Sequence, residues 1–267
     1  MSEEQNSAAG ETSAARPPLP SVFITGTDTG VGKTVVAALL GLIYRDAGLR
    51  VAYLKPVETG AVKQGEELVP GDTKFVAELL ELADEPREML CPYAFEPPVS
   101  PHLAALLAKK TVKVNNIREC YRYLERRYHA VIAEGAGGLL VPVGPTLMMV
   151  DIARELGLPL LIVARPGLGT INHTLLTIAA ALRADLQVLG VIINRYPENP
   201  GRVEKNNPKA ITDFSGVPVL ALVPEIPGFN PEQPDYNALE ETARRVNETY
   251  RLAEKLAALA GERRPGS

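Results

Sequence analysis

The sequence predicts an α/β fold: one domain with a mostly parallel sheet and helices on both faces. Three observations carry this. Short apolar runs alternate with helical segments along the chain, as in parallel sheets buried on both sides. One of these runs, Val22-Phe23-Ile24, turns through Gly26, Gly30 and Gly32 into Lys33-Thr34 and a helical segment. The 267 residues are 46% hydrophobic and 22% charged, which suits one large domain with its own core.

The stretch Ser21–Thr34, SVFITGTDTGVGKT, organises the rest. Strand, glycine-rich loop, Lys-Thr and helix form a phosphate-binding P-loop. The glycines let backbone N–H groups converge on phosphate oxygens. The helix starting near Gly32 offers unpaired N–H groups and its positive dipole end to the same anion. Lys33 reaches the terminal phosphates, and the Thr34 hydroxyl is placed for Mg²⁺. The general pattern G-x-x-x-x-G-K-[ST] wants a glycine at position 27, where this chain has Thr27, so the loop is a variant form. A P-loop NTPase-like domain is expected over residues 21–262.

Residues 1–20, polar, small and ending in proline, read as a disordered tail without the apolar segment of a signal peptide. The net charge of −4 and the lack of a basic run speak against nucleic acid. No apolar stretch reaches the roughly 18 residues that span a membrane. Cys91 and Cys120 lack metal-type spacing and read as reduced thiols of a cytoplasmic protein.

The elements follow in order. Arg50–Leu54 reads as a second strand, ending in Lys55-Pro56-Val57-Glu58-Thr59-Gly60. A lysine at a strand end points into the ligand crevice of an open sheet or into solvent, and position alone leaves both open. Residues 61–71 read as a loop, and a helix is expected over roughly 73–84 with Asp72 as its N-cap or as a Mg²⁺ ligand. The proline-rich segment 91–102 reads as irregular, a lid or a long connection, with His102 at a helix start. Helices are expected near 101–109 and 114–128.

Ala130–Ala133 is a buried strand that meets Glu134 and then Gly135-Ala136-Gly137-Gly138. A carboxylate there, in a chain with a P-loop, suits Mg²⁺ or a water and would be costly to bury without a cation or donor. A helix over 148–157, the strand Leu158–Ala164 and a helix from about Thr170 to 183 follow. The start of that last helix, at Thr170, suits a carboxylate. The strand Gln187–Asn194 ends in an amide that reads an adenine edge or merely turns the chain. Residues 197–209 read as a loop, 210–215 as a short helix, Val217–Val223 as a strand and 236–260 as one helix.

Taken together, GTDTGVGKT (26–34), LKPVETG (54–60), PPVSPH (97–102), VIAEGAGGLLVP (131–142) and GLGTINHTLLT (167–177) resemble the dethiobiotin synthetase family. VIINR (191–195) and VPEIPGF (223–229) add to the likeness, which spans about residues 21–230. The resemblance implies an ATP-dependent ligase that makes dethiobiotin from 7,8-diaminononanoate (7,8-diaminopelargonate) and CO₂, with ADP and phosphate as the other products. It implies ATP contacts from Thr29, Gly30, Val31, Gly32, Lys33, Thr34 and Val35, and from Glu134, Gly135, Ala136 and Gly137. Asn194 and Arg195 would face the adenine, with Pro227, Gly228 and Phe229 lining its pocket. Lys33 and Lys55 would be catalytic, and Thr34, Asp72 and Glu134 would ligate Mg²⁺. Thr59 would touch the substrate, and Gly169, Thr170 and Asn172 would receive its carboxylate, partly across a homodimer interface. Gly30 stands where other members carry Glu or another polar residue; it keeps its N–H and supplies no side chain.

The competing class is a P-loop switch ATPase that acts by nucleotide-dependent dimerisation with a protein or membrane partner. Residues 236–260 mix Glu240, Glu241, Arg244, Arg245 and Glu248 rather than presenting one basic face, which disfavours a membrane helix. No partner glutaminase domain fits in this length.

Overall fold

The computed structural model describes residues 19–261. β1 (Val22–Gly26) leads into α1 (Lys33–Asp46) and β2 (Val51–Leu54). A short β3 (Val57–Thr59) and the hairpin of β4 (Val62–Gln64) and β5 (Glu67–Val69) precede α2 (Gly71–Leu79). α3 (Arg87–Leu90), β6 (Tyr93–Phe95), α4 (Pro101–Leu107) and α5 (Val114–Glu125) bring the chain to β7 (Ala130–Gly138). α6 (Met149–Leu156), β8 (Leu160–Ala164), α7 (Thr170–Arg183) and β9 (Val188–Tyr196) alternate after it. α8 (Arg202–Ser215), β10 (Val219–Pro224), α9 (Tyr236–Tyr250) and α10 (Leu252–Gly261) complete the described chain.

Six strands form one sheet in the order β10-β9-β8-β1-β7-β2, and every neighbouring pair is parallel. The α/β, mostly parallel architecture is the one expected. Its strands are buried on both faces: along β8, Val163 belongs to the larger apolar cluster and Ile162 to the smaller one opposite. From β1 the chain crosses to β2 at one edge, returns to β7, and then builds outward on the other side of β1 through β8. Connections therefore diverge on either side of β1, which opens a crevice at the C-terminal ends of these strands.

Several local expectations are corrected. Residues 61–71 hold an exposed polar hairpin rather than a loop, and 91–102 contains the strand β6, which pairs with β3. The helix expected at 73–84 begins earlier and ends earlier, and its N-cap is Pro70, with Asp72 inside the first turn. Of the loop expected over 197–209, only 197–201 is non-helical; residues 202–215 form one helix, α8, with Pro208 inside it. The Glu204 carbonyl that Pro208 cannot bond accepts the Tyr196 hydroxyl at 3.1 Å instead. The single helix expected over 236–260 breaks at Arg251, whose φ is 51°. Asn247 spans the break, its backbone carbonyl accepting from Arg251 N and its side chain from Ala253 N.

The tail expected over residues 1–20 lies outside the described residues except for Leu19 and Pro20. Leu19 is buried in the core, and the Pro20 carbonyl accepts from the Tyr44 hydroxyl at 2.9 Å. Both cysteines are free and buried, and burial pushes the Cys120 thiol up to about 11. Among the described residues no helix is long and apolar enough to cross a membrane.

Candidate active site

The crevice holds a cleft of about 390 Å³, floored by the loop between β1 and α1. Gly32, at the start of α1, has φ 88°, and the helix has neither a side-chain cap nor an acidic residue in its first turn. Its N-terminal N–H groups are thus left for an anion. Glycine is required at position 32 on a second count, because a Cβ there would sit 2.0 Å from Asn194 Nδ2. The Lys33 side chain folds back over the loop, its ammonium 3.3 Å from the Asp28 carbonyl. Burial, together with the nearby Lys55 ammonium, lowers its pKa, although Glu134, Asp72 and Asp28 oppose the shift.

Four side chains from four elements meet beside this loop. Glu134 comes from β7 and is fully buried. Its Oε1 accepts from Thr34 Oγ1 at 2.9 Å and from Lys55 Nζ at 3.0 Å. The same Lys55 ammonium, at the end of β2, is ion-paired to Asp72 at the start of α2. Burial works against the charged form of Lys55, but Glu134, Asp72 and Glu58 outweigh it and hold the pKa above the ordinary lysine range. For Asp72, burial is likewise outweighed, chiefly by Lys55, and its pKa lies below the usual carboxylate value. Lys55 is thus buried in the crevice rather than in solvent, and Asp72 pairs with Lys55 and does not cap its own helix.

Two further carboxylate contacts were not singled out from sequence. The Tyr53 hydroxyl, on β2, donates to Glu134 Oε2 at 2.7 Å. Glu58, on β3 and only 4% exposed, accepts from the backbone N–H of Asp72 and of Thr73 and from the Thr73 hydroxyl. A buried tyrosine hydroxyl and a buried glutamate both demand partners, which is the signal that marks them.

The other expected positions distribute as follows. Thr29, Gly30, Val35, Thr59, Gly135, Ala136 and Gly137 line the cleft, with Phe75, Arg195 and Phe229 at its side. A smaller cavity of about 200 Å³ shares Val35, Arg195 and Phe229 with it and adds Asn194 and Gly228. Asn194 is buried there, and its Nδ2 donates to the Val31 carbonyl at 2.9 Å. Pro227 faces a separate surface groove with Tyr196 and Tyr250. Gly169, Thr170 and Asn172 lie at the start of α7, outside the lining of the cleft. Thr170 is fully buried, and its hydroxyl has no partner among the described residues.

The arrangement suits a nucleoside triphosphate. Phosphates would meet the helix N-terminus and Lys33, and the smaller cavity shares Val35, Arg195 and Phe229 with the cleft. The donor set Thr34, Asp72 and Glu134 is oxygen only, which fits Mg²⁺. Among the described residues no three His, Cys, Asp or Glu side chains gather to hold a metal alone.

Comparison with known proteins gives the same picture. A family model described as an AAA domain matches residues 20–233. The ATP-dependent dethiobiotin synthetase BioD of Bacillus cereus is 42% identical over 206 residues, covering 77% of this chain and 84% of the relative. The corresponding proteins of Anaeromyxobacter sp. and Clostridium novyi are 43% and 38% identical, covering 76% and 78% of this chain and 89% of each relative. Among solved structures, the MinC:MinD cell division protein complex of Aquifex aeolicus superimposes with a TM-score of 0.54 at 16% identity, covering 93% of this chain and 98% of that one. The cell division ATPase MinD of Pyrococcus furiosus gives 0.53 at 18%, covering 91% and 99%. These last two share the fold. Sequence identity sustained over most of both lengths goes further: the chain belongs to the ATP-dependent dethiobiotin synthetases.

Proposed function

We propose that the protein uses ATP to close 7,8-diaminononanoate and CO₂ into the cyclic urea dethiobiotin. The observation that carries this reading is the 42% identity, over 84% of its length, to a relative named for that reaction. The cleft supplies chemistry to match.

A free alkyl ammonium has a pKa near ~10.4, so on the order of one amine in a thousand is neutral at pH 7. Only the neutral amine attacks CO₂. Its nitrogen bonds to the CO₂ carbon, a proton leaves to solvent, and a carbamate anion results. Lys33 and Lys55 favour that anion over the starting ammonium. A carbamate oxygen then attacks the γ-phosphorus and ADP leaves, giving a carbamic-phosphoric anhydride. The second amine attacks the carbonyl carbon, expels phosphate and closes the ring, an intramolecular step that gains from proximity. No enzyme nucleophile is needed; the protein supplies position and charge.

Charge balance supports Mg²⁺ as the cofactor. Lys55 is flanked by Asp72 and Glu134, so the net positive charge that the cleft itself offers a triphosphate is small. Thr34, Asp72 and Glu134 would hold the ion, which would neutralise charge on the phosphates. Thr59, at the rim of the cleft, would contact the substrate. Asn194, Arg195, Gly228 and Phe229, which line the smaller cavity, would receive the adenine, while Pro227 faces away from it. Gly169, Thr170 and Asn172 would bind the substrate carboxylate of a partner copy in a homodimer. Exposed Leu140, Met148, Leu168 and Leu176 on the segments after β7 and β8 support such an interface. We place the enzyme in the cytoplasm, with neither nucleic acid nor membrane as partner.

The test is phosphate release from MgATP and bicarbonate, with and without the diamine. Release that requires the diamine and matches dethiobiotin one to one is expected. Release indifferent to the diamine and raised by a protein or lipid partner would instead assign the chain to the switch ATPases.

A further inference from the structure

We propose that Glu58 is a positioning residue that sets Asp72, and through it the Lys55 ammonium, for work on the triphosphate. The inference rests on the Mg²⁺ and ATP reading above and extends it to a side chain outside the ligand set.

The observation is an unusual helix cap. α2 begins after Pro70, which has no side-chain acceptor to offer its first turn. The acceptor comes from a different strand. Glu58 Oε1 takes the Asp72 N–H at 2.8 Å, and Oε2 takes the Thr73 N–H at 3.1 Å and the Thr73 hydroxyl at 2.7 Å. An acidic cap of this kind is favoured by the helix dipole as well as by its hydrogen bonds. All three bonds end on Asp72 or its neighbour, so they fix where the Asp72 side chain leaves the helix. The Asp72 carboxylate, not used in the cap, pairs with Lys55.

The cost of this arrangement argues that it is kept for the site. Glu58 is 4% exposed, and burial raises its pKa, with Asp72 opposing ionisation and Lys55 favouring it. A serine or asparagine at position 70 would cap the helix more cheaply. Such a cap would leave β3 and α2 unconnected at this point. Glu58 instead ties the start of α2 to β3, which follows Lys55 by two residues and ends at Thr59, so ammonium, carboxylate and substrate-side residue are held together.

The experiment separates positioning from mere stability. Affinity for ADP is measured by calorimetry with and without Mg²⁺ in wild type, Glu58→Met and Glu58→Gln. Methionine keeps the volume and removes the acceptors; glutamine keeps one acceptor oxygen. Wild type is expected to bind ADP more tightly with Mg²⁺. Glu58→Met is expected to lose this Mg²⁺-dependent gain by about 10-fold or more, in the range for residues that orient metal ligands. Its Mg²⁺-free affinity should hold, and Glu58→Gln should recover most of the gain. Should Glu58→Met not fold, Thr73→Val removes one of the three bonds and is expected to shift the same quantity in the same direction, by about two- to threefold. A lower Tm with the Mg²⁺-dependent gain intact in either variant would overturn the proposal. No diamine is used, so the outcome does not depend on the synthetase assay. A wild type indifferent to Mg²⁺ would strike the metal reading itself, not Glu58 alone.

Discussion

The Tyr53 hydroxyl donates to Glu134 Oε2 at 2.7 Å, while Oε1 of the same carboxylate meets Thr34 and Lys55. Tyrosine therefore decides which edge of Glu134 faces the phosphate loop. Tyr53→Phe removes the hydroxyl and little volume. It should cost roughly 1.5–3 kcal/mol of stability, the range for a hydrogen bond to a charged group. It should also lower turnover by about 10-fold or more, with the half-saturating Mg²⁺ concentration raised. Thermal melts and Mg²⁺ titrations of steady-state rate check both. A lowered Tm with unchanged Mg²⁺ dependence would make Tyr53 a core residue only.

Lys55 answers two carboxylates at once, and its side chain is 5% exposed. Lys55→Met should remove diamine-dependent turnover by about 10²–10³-fold, as for loss of a preorganised charge at a reacting centre. Breaking a buried pair also leaves charge uncompensated and costs about 3–5 kcal/mol in general. Solvent reaches Asp72, so the lower end is expected here. Added Mg²⁺ should raise the Tm of the variant more than that of wild type, since a cation would take over the neutralising role. Equal Mg²⁺ shifts in the two proteins would contradict this.

The central sheet was legible because parallel strands buried on both faces are nearly continuous apolar runs, as in Leu160–Ala164. The phosphate loop was legible because its chemistry is local. What was not legible is what depends on distant partners. Tyr53 reads as one more core residue in Val-Ala-Tyr-Leu until β7 brings Glu134 beside it from 81 residues away. Asp72 reads as an N-cap or a Mg²⁺ ligand, since nothing local shows that Glu58 takes the capping task. The β4–β5 hairpin is too short and polar to carry a period of two. Residues 197–209, with Pro208 among them, read as a loop, and the Tyr196 hydroxyl on β9 that donates to the Glu204 carbonyl lies outside that stretch. The Lys33, Thr34 and Glu134 set could be named in advance; the two side chains that hold its geometry could not.

Gly32 and Asn194 are in contact across the loop, and they should behave as a coupled pair. A Cβ at position 32 would meet Asn194 Nδ2 at 2.0 Å, and φ 88° is itself unfavourable for any other residue. Gly32→Ala should destabilise by about 1–3 kcal/mol, the usual cost of such a conformation, and weaken ATP binding. Asn194→Ala removes the clashing amide along with its bond to the Val31 carbonyl. The double variant should therefore be more stable than the sum of the single losses implies. A double-mutant cycle by denaturant unfolding reads the coupling, and strict additivity would show that the loop moves away from Asn194 freely.

Lys33 carries a charge that folding disfavours until a nucleotide arrives. Burial is the main cause of its lowered pKa, with Lys55 adding to it. A lysine with a depressed folded pKa binds fewer protons in the folded than in the unfolded state as pH rises. Its penalty is thus complete below the lowered pKa and is relieved as pH climbs toward the ordinary value of 10.5. Lys33→Met lacks the charge and escapes the penalty. Without nucleotide it should melt roughly 2–4 °C above wild type near pH 7, and this advantage should shrink toward pH 10. Its ATP-dependent stabilisation should vanish. Melting curves across that pH range, with and without MgATP, test the pairing of lost function with gained stability. A variant less stable than wild type at pH 7 without nucleotide would mean that the bond to the Asp28 carbonyl outweighs the cost of burying the ammonium.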